Sequence, residues 1–394
     1  MNRKAKASRL GRFHFDPLLL TACMSLLFIG YVMVASSSIH LGSKMLDNIW
    51  NYPLKQLIHI ALGVVLGSTI ATVPMRSWEK IGPVLFLIGL LLLVVVMVPG
   101  LGVKVNGSTR WLSLGGLRIQ VSEVVKFFAV IYMAGYVTRH QQTLRVSFWG
   151  LLKPLLLFLI ASVLLLMEPD FGSAVVILMI AMGILFLAGA KLLHFAMLFS
   201  ALAVPAMLLV VYEPYRMIRV TSFLNPWADP LNSGFQLVQA LISFGRGEVL
   251  GVGLGSGIQK LSYLPEAHTD FLFSVIAEEL GLLGVMTVVG LFALLVWRAF
   301  QIAAQAEQAG EHFSAYIAYG LGIWFGFQAF VNMGVNMGML PTKGLTLPLM
   351  SYGGGSMMIM CCAIGLLFRV HSEIAEINAN AIPEPRVKVK AKND

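Results

Sequence analysis

Ten long apolar runs decide what this chain can become. They fall at roughly 18–36, 54–73, 81–98, 119–137, 150–167, 172–189, 192–212, 271–297, 313–332 and 346–368. An α-helix rises about 1.5 Å per residue, so about 20 apolar residues cross the hydrocarbon core of a bilayer. The runs are continuous rather than alternating, which argues against membrane strands. Of the 394 residues, 58% are hydrophobic and 12% are charged. A soluble domain carries about twice that share of charge. So little charge cannot cover a water-facing surface. A soluble enzyme, a disordered chain and a peripheral anchor are excluded. The expected fold class is all-α: a polytopic membrane protein of ten transmembrane helices.

Lysine and arginine orient the spans. With the N-terminus in the cytoplasm, the inner segments hold seventeen of the 28 Lys and Arg, the outer segments ten, and Lys126 lies within a span. An even span count then puts both termini in the cytoplasm. The net charge of +9 is topological and needs no nucleic acid partner. Cys23, Cys361 and Cys362 all sit inside apolar runs, so they staple no external loop, and their spacing suggests no metal site. The first apolar run is too long for a signal-peptide core and reads as an uncleaved helix. Three parts follow: a basic cytoplasmic segment at 1–17, a ten-helix body at 18–368 with a large external loop at 213–270, and a cytoplasmic tail at 369–394, Pro- and Lys-rich toward its end and expected to be disordered.

The outer face carries the polar loops, where function concentrates. Before span eight the sequence reads Pro265-Glu266-Ala267-His268-Thr269-Asp270. One reading is helix capping by Thr269 or Asp270. The other is an active site in which Glu266, His268 and Asp270 converge, with Asp270 as a base. Gly245-Arg246-Gly247 through Gly257 offers GxG patterns without the strand and helix of a dinucleotide fold. It is either a flexible loop or a backbone surface for a lipid-linked substrate. From 340 to 356, two prolines and four glycines at membrane depth predict a broken or re-entrant start to span ten, tolerable only inside protein or along a wet cavity. Lys343 beside it is suited to hold a phosphate.

Charges also lie within the spans. Glu123 and Lys126 are three apart, on one helix face, roughly 6 and 10 Å below the outer surface. Glu278 and Glu279 lie about 12 Å below it. Such charges are rare and face a cavity or each other. Either Lys126 makes a structural pair with a glutamate, or these groups floor a cavity that opens outward. Glu168 and Asp170 sit at an outer turn.

At these residues the sequence resembles the SEDS family (shape, elongation, division and sporulation) of membrane peptidoglycan glycosyltransferases. The matching stretches include Gly107-Ser108-Thr109-Arg110-Trp111, Gln120-Val121-Ser122-Glu123, Glu168-Pro169-Asp170-Phe171-Gly172, Pro214-Tyr215-Arg216 and Asn225-Pro226-Trp227. They continue through 263–270 and 340–356, so they cover nearly the whole membrane body. The likeness is greater to the division branch of the family than to the elongation branch. Val121 stands where the family has proline, and Gly355 where it has a small polar residue.

The resemblance implies a SEDS-type fold and a reaction on the outer face of the bacterial cytoplasmic membrane at the division septum. The 4-hydroxyl of one lipid II attacks the anomeric carbon of another, and undecaprenyl pyrophosphate leaves with inversion. Asp270 matches the family's essential aspartate and is the expected base. Arg110, Arg246, Lys343 and Lys126 are the candidate cations for the pyrophosphate, with Glu266, His268 and Ser351 as further substrate-binding candidates. A divalent cation, Mg²⁺ or Mn²⁺, is the implied cofactor, although the sequence shows no ligand cage and no organic cofactor is implied. The implied partners are membrane lipids, a septal class B penicillin-binding protein as transpeptidase, and other division proteins. Two competing readings remain: a transporter that flips lipid-linked precursor, and a non-catalytic division scaffold. No internal repeat supports the transporter.

Overall fold

The computed structural model describes residues 13–46, 48–105, 108–114, 117–212, 214–261, 263–342 and 344–381. Along them run α1 (Pro17–Leu46), α2 (Asn51–Thr72), α3 (Met75–Met97), β1 (Gly102–Val105), β2 (Ser108–Leu114), β3 (Leu117–Gln120), α4 (Val121–Val146), α5 (Phe148–Met167) and α6 (Phe171–Leu187). They continue with α7 (Leu192–Val211), α8 (Pro214–Leu224), a 3-10 turn at Pro226–Ala228, α9 (Phe235–Gly247), α10 (Leu272–Gln308), α11 (His312–Asn336) and α12 (Gly354–Ala381). Among the described residues, eight helices are long and apolar enough to cross a membrane: α1 to α5 and α10 to α12. The apolar stretches Phe171–Leu187 of α6 and Leu192–Ala201 of α7 are shorter. The chain is a multi-pass membrane protein.

The helices close on one another through small residues, as helices in lipid do. Gly63 and Gly67 of α2 face Cys361 of α12; a Cβ at Gly67 would come within 2.5 Å of the Cys361 carbonyl oxygen. At one end of the body Asp16, at the start of α1, pairs with Arg298 of α10, and the Met75 N–H of α3 donates to Glu373 of α12 at 3.0 Å. The opposite end gathers the sheet, the turn at 168–170 and the segments before α10 and α12.

Four expectations need correction. Residues 369–381, expected to belong to a disordered tail, continue α12 as helix to Ala381, because Val370 and Ile374 are apolar positions four apart that stay buried against the body. The chain is not purely helical: β1, β2 and β3 form an antiparallel sheet between α3 and α4. The strands are short, and the signal for them is the turn dipeptides Asn106-Gly107 and Gly115-Gly116 between runs of strand-forming residues. The stretch expected as one long loop at 213–270 carries α8, the 3-10 turn and α9. The helix of span ten begins at Gly354 rather than near 346, because residues 344–353 form an irregular, largely buried segment. That matches the predicted broken start. Gly355 is needed there: a Cβ would lie 2.9 Å from Gln120 N and from Ile119 Cα.

Helix α10 is itself broken. Gly281 adopts φ 64°, ψ −160°. The break frees backbone groups that the segment after α9 takes up. Val252 N and Gly253 N donate to the Glu278 and Glu279 carbonyls at 3.0 and 3.1 Å, while Leu282 N and Leu283 N donate to the Glu248 and Val249 carbonyls at 3.0 and 3.2 Å. Irregular backbone at this depth is admissible because the rest of the protein satisfies it.

Candidate active site

Asp270 lies at the mouth of α10, and its backbone is held on every side. The His268 carbonyl accepts from Tyr352 N at 2.9 Å. The Thr269 carbonyl accepts from Ser351 Oγ at 2.6 Å. The Asp270 carbonyl accepts from Asn332 Nδ2 at 2.9 Å and from Asn336 Nδ2 at 3.0 Å. Three successive carbonyls therefore take donors from α11 and from the irregular segment before α12. Glu266, at φ 56°, closes the turn: its carbonyl accepts from Phe271 N at 3.1 Å.

Capping does not account for Asp270. The N-cap position of α10 is Phe271, without a side-chain cap, and Ser274 N is taken by Asn336 Oδ1 at 3.0 Å. The carboxylate faces Gly344 instead, where a Cβ would stand 3.1 Å from Asp270 Oδ2. The neighbours of Asp270 make contacts of their own. Thr269 Oγ1 donates to Glu266 Oε2 at 2.7 Å. His268 sits edge-on against Tyr52, 5.3 Å between ring centroids, and 5.5 Å from Tyr352. Burial lowers the His268 pKa, with Glu266 opposing, so the imidazole is kept neutral near pH 7 and is a poor cation. Ser351, proposed to touch substrate, uses its hydroxyl internally: besides donating to Thr269 it accepts from Leu347 N at 2.9 Å.

The charged candidates resolve into three groups. Lys126 Nζ pairs with Glu123 Oε1 at 2.7 Å, donates to Gln328 Oε1 at 2.9 Å and lies 5.6 Å from the Trp324 ring centroid. This is the expected pair. Glu278 and Glu279 take no part in it. Glu278 accepts from Arg246 Nη1 at 2.8 Å and from Ile258 N and Gln259 N. Glu279 accepts from Lys260 Nζ at 2.6 Å, from Ser36 Oγ and from Gly255 N. The two carboxylates anchor the 248–260 segment and do not floor an open cavity. Arg246 spends its charge on Glu278.

The third group surrounds the turn between α5 and α6. Arg110 of β2 donates through Nε to the Glu168 carbonyl at 2.9 Å and through Nη2 to the Pro169 carbonyl at 2.6 Å. Asp170 Oδ1 caps α6 by accepting from Ser173 N at 3.1 Å. The Glu168 carboxyl is 1% exposed and neither oxygen has a hydrogen-bond partner among the described residues. Burial pushes its pKa up to about 8, Asp170 adds to the rise and Arg110 opposes it. Gly172 packs on Leu345, so this turn and Asp270 lie on either side of residues 344–345. Lys343 lies outside the described residues. Among the described residues, no three His, Cys, Asp or Glu side chains stand together as a metal cage. These carboxylates do not fit a divalent ion held by protein alone.

Asn332, Asn336, Gln328, Tyr52, Tyr352 and Lys260 were not foreseen. Their signal is weak but real: Asn332 and Asn336 are two amides at i and i+4 within an apolar run, which puts both on one helix face.

A family model described as "Cell cycle protein" (FtsW, RodA and SpoVE) matches residues 17–376. The chain belongs to the SEDS family. Among its SEDS relatives, the "Probable peptidoglycan glycosyltransferase FtsW" of Methylomonas methanica is 64% identical over 371 residues, covering 94% of this chain and 96% of the relative. The protein of the same name from Methylococcus capsulatus is 59% identical, covering 92% and 91%. Two solved SEDS-like structures share the fold. One, reported under "Structural coordination of polymerization and crosslinking by a peptidoglycan synthase complex", superposes with a TM-score of 0.75 at 31% identity, covering 91% of this chain and 98% of the other. The rod shape determining protein RodA of Thermus thermophilus superposes with a TM-score of 0.66 at 28% identity, covering 91% and 97%.

Proposed function

We propose that this chain is a peptidoglycan glycosyltransferase that polymerises lipid II, with Asp270 as the general base. The observation that carries the reading is the Asp270 carboxylate beside Gly344, on a backbone whose carbonyls at 268, 269 and 270 are all held. A base does its work when held in attack geometry rather than when mobile. The 4-hydroxyl of the acceptor sugar gives its proton to Asp270 as its oxygen bonds to the donor's anomeric carbon. The bond from that carbon to the pyrophosphate oxygen breaks on the opposite face, so the configuration inverts. Undecaprenyl pyrophosphate leaves as an anion and needs positive charge rather than an acid. Arg110, with an exposed guanidinium edge beside the same turn, and Lys343 are the cations assigned to it. Arg246 and Lys126 are assigned structural roles by their buried carboxylate partners. A divalent ion, Mg²⁺ or Mn²⁺, would arrive on the substrate's phosphates, and no step depends on it.

α6 and α7 complete ten spans, with both termini in the cytoplasm and Asp270 on the outer face of the cytoplasmic membrane. The excess of Lys and Arg in the inner segments supports this orientation. The domain division is then the basic N-terminus, the catalytic body with the outer segment 213–270, and the C-terminal tail. A septal class B penicillin-binding protein is the proposed partner, because a polymerase cannot cross-link its own strands. The test is direct. The purified chain, with and without that partner, is given lipid II and the products are separated by length. Glycan strands are expected, and lipid II left intact in both samples would overturn the assignment.

A further inference from the structure

We propose that Asn332 and Asn336 are positioning residues for Asp270, acting through the peptide group that joins it to Phe271. The proposal rests on the reading of Asp270 as the base. That peptide group is held at both poles. Its N–H donates to the Glu266 carbonyl at 3.1 Å, and its carbonyl receives Asn332 Nδ2 at 2.9 Å and Asn336 Nδ2 at 3.0 Å. One donor satisfies a buried carbonyl. This one takes two, from side chains one helical turn apart, so both lone pairs are used and the peptide plane cannot turn. The preceding peptide group is held too, because the Thr269 carbonyl accepts from Ser351 Oγ at 2.6 Å, and with both flanking planes fixed the Cα–Cβ bond of Asp270 points in one direction.

The same two amides also set what stands opposite the carboxylate. Asn332 Nδ2 reaches the Leu345 carbonyl at 2.6 Å. Residue 345 follows Gly344, the residue that faces Asp270 Oδ2. One amide nitrogen therefore ties the residue carrying the base to the strand of backbone that walls it. Asn336 Oδ1 accepts from Ser274 N at 3.0 Å and from Ser274 Oγ at 2.7 Å. That registers the first turn of α10 against the same point. Both side chains are buried, at 2% and 0% exposure, so water does not compete for these bonds. Polar groups this dry and this fully used rigidify a unique arrangement. A displacement near 1 Å at a reacting group is worth about a hundredfold in rate.

Two substitutions test the role. Asn336→Asp keeps the acceptor for Ser274 and removes the donor to the Asp270 carbonyl. Asn332→Leu removes both of its donors at similar volume. Steady-state polymerisation of lipid II is measured per mole of folded protein, with folding followed by thermal denaturation in detergent. The expected result is a fall in kcat of about 10- to 100-fold with KM for lipid II held within about threefold, because the groups shape the reacting geometry and not ground-state binding. A kcat within about twofold of the parent in folded Asn336→Asp protein overturns the proposal. So does a chain that fails to fold with either substitution, because the amides are then structural. Asp270→Asn in the same assay separates the two claims. If it polymerises normally, the base assignment itself fails. If it is inactive while Asn336→Asp keeps the parental kcat, only the positioning claim fails.

Discussion

The Lys126 ammonium stands 2.7 Å from Glu123 Oε1, with both side chains closed off from solvent. The pair does not stand alone. Lys126 and the Trp324 indole N–H both donate to Gln328 Oε1 at 2.9 Å, and Gln328 Nε2 donates to the Thr346 carbonyl at 3.0 Å. A charge pair inside α4 is thereby wired to the irregular segment that walls Asp270. Removing one member of a buried pair leaves the other uncompensated and costs about 3–5 kcal/mol. Lys126→Met is therefore expected to lower the thermal stability of the purified protein strongly, and the double change Glu123→Gln with Lys126→Met to recover much of it. Equal losses in the single and double variants would refute a paired role.

Gly344 gives a second, sharper probe of the site. An alanine there would put its Cβ 3.1 Å from Asp270 Oδ2, close enough that the carboxylate must shift by a few tenths of an ångström. Gly344→Ala is expected to slow lipid II polymerisation by about tenfold or more while leaving the melting temperature near that of the parent. Initial rates on equal amounts of folded protein check this. A parental rate would mean that the carboxylate does not work from this position.

The twin glutamates of α10 predict where the 248–260 segment will loosen. Glu279 holds Gly255 N at 2.9 Å and Lys260 Nζ at 2.6 Å. Glu279→Ala should speed amide hydrogen exchange across 251–260, with α11 unchanged. The measurement is exchange mass spectrometry in detergent. Unchanged protection at 251–260 would show that backbone bonds alone hold the segment.

Glu168 makes stability depend on pH. Its folded pKa is raised from 4.5 to about 8. Between those values the folded chain binds the proton that the unfolded chain has released, so this group's contribution falls as pH rises through that window. The parent is expected to lose stability from about pH 5 to about pH 8 more steeply than Glu168→Gln. Melting temperatures across that range decide it, and parallel curves would contradict the raised pKa.

Much of this architecture was written in the sequence, and the reasons for the remainder are physical. Continuous apolar runs located the helices, because burial in lipid demands them. The Glu123–Lys126 pair was legible because i,i+3 spacing on a helix fixes proximity. The pairing of Arg246 with Glu278 was not, since it depends on how a 32-residue stretch folds back. The start of span ten was misplaced because residues 345–350 are apolar apart from Thr346, yet cannot run on as helix past Pro348 and the following glycines. Arg110 was foreseen as a cation, but its partners are backbone carbonyls, which leave no mark on the sequence. The sheet was missed because strands of four and seven residues carry little periodicity.

The most direct measurement is lipid II polymerisation by purified Asp270→Asn protein set beside the parent, at matched amounts of folded, membrane-inserted chain. Asn retains the size of the side chain and caps a helix about as well as Asp, but it cannot take the proton of an attacking hydroxyl. The account predicts no detectable glycan strands from the Asn variant, with thermal stability close to that of the parent. Strands formed at a near-parental rate would contradict it and remove Asp270 from the chemistry.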